Sequence, residues 1–129
     1  MNGAVYEWSA HAPLAIKAGI ESEVLEAVKD LGRDVFLKGR GAWEDVGTRG
    51  GRSEGGLDKR SWAVVAYTDQ MTREIAVEDD LFEGLKEWFG EQQIVELTAT
   101  VATYNCVSRF LVALDVCEMN GQEIKMPEA

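Results

Sequence analysis

EQQIVELTATVATYNCVSRFLVALDV, residues 91–116, decides the fold class. Ile94, Val95, Leu97, Val101, Val107, Phe110, Leu111, Val112 and Leu114 make it apolar on most sides, broken by Thr98, Thr100, Thr103, Asn105 and Arg109. Its threonines and valines would suit a buried strand, yet roughly twenty-five residues without a turn signal exceed any ordinary strand. The stretch therefore reads as a helix, and one apolar nearly all round is central to its domain or to an oligomer.

Working outward, the remaining elements carry the same period. Leu81, Phe82, Leu85, Trp88 and Phe89 form a stripe over 79–89, with Asp79 as the expected N-cap and Gly90 beyond it. Trp62, Val65 and Ala66 share a face in a helix starting near Asp58. Val24, Leu25, Val28 and Leu31 make a short amphipathic helix over 21–31, bounded by Gly19 and Gly32 as helix stops. Between Gly39 and Gly56 lie seven of the thirteen glycines, among mixed charges, which predicts a long loop without the GxxxxGK[ST] phosphate pattern. Lys38, Arg40, Arg49 and Arg52 could reach an anionic substrate from it. Residues 118–129 read as a polar tail. The expectation is one all-α domain over 1–129 with about five helices.

With 129 residues, 46% of them hydrophobic, the chain suits a single core. Its 13 basic and 23 acidic residues give a net charge of −10, which argues against nucleic acid and anionic membranes as partners. No apolar run of about twenty residues and no secretory layout is visible, so a cytoplasmic location is expected. Cys106 and Cys117 stand eleven apart, too far for a redox CxxC or a zinc knuckle, and are expected to be buried or idle.

The chemistry is concentrated near the start. Glu7 and His11, the sole histidine, are four apart, and in a helix that spacing lets both approach one small molecule. An imidazole gives and takes protons near neutrality, and a neighbouring carboxylate can fix its tautomer. Tyr6 and Trp8 flank the pair and could wall off water. Pro13 leaves two geometries open: a helix running through it keeps the pair on one face, whereas a helix beginning near His11 would leave Glu7 outside.

The stretch from Asn2 through His11 with Leu14 to Gly19, and the stretch from Ile94 to Leu97 through Tyr104-Asn105 to Leu114, resemble the carboxymuconolactone decarboxylase family, which includes the alkyl hydroperoxidase D-like proteins. The first resembles that family's motif helix and the second its closing helix. Where the peroxidase branch carries CxxC, Ala4 and Glu7 stand here, so the thiolate that peroxide reduction requires is missing. The Glu7-Trp8-x-x-His11 pattern is closer to the decarboxylase-like branch.

That resemblance implies an alkyl hydroperoxidase D-like fold and a lyase working without metal or organic cofactor on a small carboxylated lactone or related enolisable acid. His11 would be general acid or base, Glu7 would orient and charge it, and Tyr6, Trp8, Tyr104 and Asn105 would contact substrate. Lys17, Arg109 or the loop arginines would supply local donors. The resemblance also implies a homotrimer or homohexamer. The chain opens at the motif itself, without the helices that usually precede it, so either the beginning is shortened or neighbouring subunits complete the pocket. The alternatives are a non-catalytic oligomeric relative, or the same residues applied to isomerisation, dehydration or ring closure of another metabolite.

Overall fold

A computed structural model describes residues 4–26, 28–29 and 58–127. Among these every regular element is helical and none is a strand. In order they are α1 (Val5–Lys17), α2 (Lys59–Glu74), α3 (Asp79–Lys86), α4 (Glu91–Ala113) and a 3-10 turn (Val116–Glu118), with further helical residues at 22–26 and 28–29. The glycine-rich segment over 39–56, with Lys38, Arg40, Arg49 and Arg52, lies outside the described residues.

Helix α1 runs through Pro13 and stops where a glycine permits it. Gly19 takes φ +92°, its N–H reaches Ile16 O at 2.9 Å and the N–H of Ile20 reaches Ala15 O at 3.0 Å. This Schellman closure satisfies carbonyls that the helix end would otherwise leave bare, and it turns the chain into the run at 22–26. Leu25 in that run is buried.

The core lies between α2, α3 and α4, where Tyr67, Leu85 and Ile94 are surrounded by Ala63, Met71, Val77, Phe82, Phe89 and Leu97. Leu85 has no exposed surface. The Tyr67 hydroxyl meets Thr98 Oγ1 at 2.8 Å, and Thr98 in turn donates to Ile94 O at 2.7 Å, so Tyr67 is the donor of the first bond. Further along, Asn105 donates to Thr72 Oγ1 at 2.9 Å, and Arg109 donates to Asn105 Oδ1 at 2.7 Å and to Thr72 O at 3.3 Å. These contacts rise together in sequence, so α2 and α4 run in the same sense.

Several boundaries differ from the sequence expectation. Glu78 is the N-cap of α3 and Asp79 its first residue; Asp79 and Asp80 then place two carboxylates in the first turn, where the helix dipole favours them. The helix ends at Lys86, with Trp88 and Phe89 turning back by N–H bonds to Leu85 O. Helix α4 ends at Ala113, because Asp115 adopts a left-handed backbone and accepts from the N–H of Asn120 at 2.9 Å. Cys106 and Cys117 are both exposed, not buried: Cys106 lies off the inward stripe of Ile94, Val101 and Ser108, and Cys117 sits in the 3-10 turn.

Two positions yield stability predictions. Ile75, at the corner between α2 and α3, holds φ 68° and ψ −51° while 84% exposed. That region costs a β-branched residue about 1–3 kcal/mol, against about 0.4–1 kcal/mol of extra unfolded-chain freedom for glycine. Ile75→Gly should therefore raise stability by about 1 kcal/mol in urea unfolding. Asp58 caps α2 by accepting from Ser61 N at 2.7 Å, and that backbone bond, first among its causes, lowers its carboxyl below the ordinary 3.8. The contribution is complete above the ordinary value and lost as pH falls through the lowered one. Asp58→Ala should melt below the parent at pH 7, with the gap closing on acidification past about pH 4.

Candidate functional site

A cavity of about 390 Å³ lies against α1, lined by Ala4, Glu7, Trp8, His11, Ala12, Ala15, Leu25 and Tyr104. The helical repeat explains the α1 contribution: positions 4, 7, 8, 11, 12 and 15 fall within one arc of the helix at about 100° per residue. Alanines at three of the six leave room that longer side chains would fill. Leu25 forms part of the wall from the run after Gly19, and Tyr104 reaches it from α4.

Glu7 and His11 share this face. His11 Nε2 lies 3.2 Å from Glu7 Oε2, with 47% of the histidine side chain and 15% of the glutamate side chain exposed. The approach is within ion-pair range, yet Glu7 Oε2 is sealed from solvent and accepts no hydrogen bond among the described residues. The ring contact with Tyr104 is edge-on, centroids 5.2 Å apart at 84°. Such a T-shaped pair steers the imidazole plane and is worth about 0.5–1.5 kcal/mol beyond its burial.

The arrangement can move a proton between a half-exposed imidazole at the mouth and a carboxylate deeper in an otherwise apolar wall.

Of the six residues expected to form the site, Glu7, His11, Trp8 and Tyr104 are brought together here. Tyr6 and Asn105 are not among the cavity's lining residues. Tyr6 is 40% exposed and its position falls on the opposite side of α1. Asn105 is committed to Thr72, Val101 and Arg109. It follows Tyr104 by one residue, about 100° around the helix, and that rotation turns it toward Thr72 on α2. Arg109 joins that same cluster, and Lys17 is exposed at the end of α1. Leu25 and the three alanines enlarge the expected set, the alanines recoverable from their spacing with Glu7 and His11.

The tail takes part as well. Trp8 Nε1 donates to Lys125 O at 2.8 Å, in a stretch where Ile124, Met126 and Pro127 are half-buried. Trp8 is thus tied to the chain's last described segment. Trp8→Phe removes the donor, worth about 1 kcal/mol, so the tail should open roughly fivefold more often. Limited trypsin digestion followed by mass spectrometry should show correspondingly faster cleavage after Lys125; an unchanged rate would mean the bond does not hold the tail.

No described helix is long and apolar enough to cross a membrane. The chain matches no protein-family model, no curated protein and no solved structure.

Proposed function

We propose that this chain is a cofactor-independent lyase of the carboxymuconolactone decarboxylase-like type, acting in the cytoplasm on a small enolisable acid or carboxylated lactone. The observation that carries the reading is the Glu7–His11 approach of 3.2 Å on the wall of a cavity otherwise lined by alanine, leucine and aromatic rings. The chemistry asked of such a site is modest. The bond between the substrate carbon and its carboxylate breaks, carbon dioxide leaves, and the electron pair passes into a conjugated carbonyl as a dienolate. His11, in its protonated form, then returns a proton to carbon, while Glu7 stabilises the charged ring. Apolar walls favour the step, since they keep water from competing for the intermediate.

Self-association as a trimer or hexamer belongs to the same reading. On α4 only one stripe is buried, through Ile94, Val101 and Ser108, while Val95, Phe110 and Leu114 stand more than half exposed on the outer side. Apolar surface of that kind is common at subunit contacts.

One observation favours the non-catalytic alternative: nearly half of the His11 side chain is open to solvent. Turnover separates the two. His11→Gln should lower kcat for carbon dioxide release from an enolisable carboxylated lactone by about 10²- to 10⁴-fold, while loss of the ring contact with Tyr104 lowers the melting temperature by only a few degrees. Absence of release by the parent protein across a panel of such acids, or a variant as fast as the parent, would favour the non-catalytic reading. Isomerisation, dehydration or ring closure would show as product formed without carbon dioxide.

A further inference from the structure

We infer that Tyr104 is a positioning residue: its ring holds the plane of the His11 imidazole, so that Nε2 stays beside Glu7 and the acid–base pair keeps one geometry. This deepens the lyase reading above, on which it rests for turnover alone.

Glu7 does not fix the ring by itself. His11 Nε2 lies 3.2 Å from Glu7 Oε2, yet that oxygen accepts no hydrogen bond among the described residues, so their closeness brings no directional bond. Attraction between charges acts along the line joining them and leaves the imidazole free to turn about it. The torsion that rotates a histidine ring is broad and roughly two-fold, unlike the staggered wells of an aliphatic chain. Nearly half of the His11 side chain is open to solvent, so close packing does not confine it from every side.

Tyr104 supplies the missing constraint. The two ring centroids are 5.2 Å apart with the planes at 84°, an edge-on contact that is given up when the imidazole swings out of its plane. The two neighbours divide the work: Tyr104 sets the plane, and Glu7 selects which edge faces it, since an N–H edge suits a carboxylate better than a carbon edge. Tyr104 can act as a brace because its own backbone is pinned. The next residue, Asn105, donates to Thr72 on α2, and one and a half turns earlier Thr98 meets Tyr67. The ring makes the contact, so the hydroxyl is dispensable to it. Where the resemblance gave Tyr104 to the substrate, the geometry gives it to His11. An edge-on pair of this kind favours the held plane by a factor of about two to ten.

His11 is the sole histidine, so carbon-13 labelling of histidine gives one set of ring signals, and their relaxation in the full chain reads ring order without ligand or turnover. The parent and Tyr104→Phe should both show an ordered imidazole. Tyr104→Leu should release it, with an order parameter below about 0.6, while circular dichroism confirms the helical fold of each variant. In carbon dioxide release from an enolisable carboxylated lactone, Tyr104→Leu should lower kcat by about two- to tenfold and Tyr104→Phe should match the parent. Added to His11→Gln, Tyr104→Leu should cause no further loss, because the brace acts only through the imidazole. An imidazole equally ordered in Tyr104→Leu, one released in Tyr104→Phe, or a further loss on top of His11→Gln would overturn the inference. Absence of turnover in the parent would defeat the lyase reading instead, and ring order would still decide the role of Tyr104.

Discussion

The Tyr67–Thr98 hydrogen bond, set beside fully buried Leu85, fixes how α4 lies along α2, and the cavity depends on that register. A helix apolar on most sides has no single preferred face, so packing alone would define the rotation of α4 weakly. Two polar pegs on one side, Thr98 and Asn105, remove the ambiguity: each has a partner on α2, and turning α4 away would strand both. With that rotation set, Tyr104 points to α1 and meets His11 edge-on. The site is therefore assembled by contacts two helices away from its reactive pair.

Alanine has a double role in α1. It is the best helix former, which helps a short helix carry Pro13 in its interior, and it is small enough to leave open volume between α1 and its neighbours. The same face thus supplies both rigidity and space. Glu7 and His11 project into that space from adjacent turns of one helix, so their separation is set by backbone geometry and does not rely on a distant loop.

Much of this was legible in the chain. The length and apolar content of 91–116 pointed to helix, Gly19 marked the end of α1, Asp58 the start of α2, and the four-residue spacing of Glu7 and His11 placed them on one face. What was not legible depends on partners remote in sequence or on rotation. Tyr104 and Asn105 are adjacent, and nothing local says which of the two looks toward α1; the deciding contact is Thr72, thirty-three residues away. Asp79 resembles a cap as well as Glu78 does, since both are acidic residues just ahead of an apolar stripe. The exposure of Cys106 depends on the rotation of α4, and no thiol pattern encodes that.

The clasp between Trp8 and Lys125 joins positions 117 residues apart. During synthesis, the helix bearing the reactive pair leaves the ribosome well before the segment around Lys125 that holds its indole, which emerges after α4 is complete. Closing so long a loop is slow relative to coiling a helix. The nascent protein thus passes through a stage in which the segment bearing its imidazole and carboxylate has been made, but the wall beside them is not yet braced.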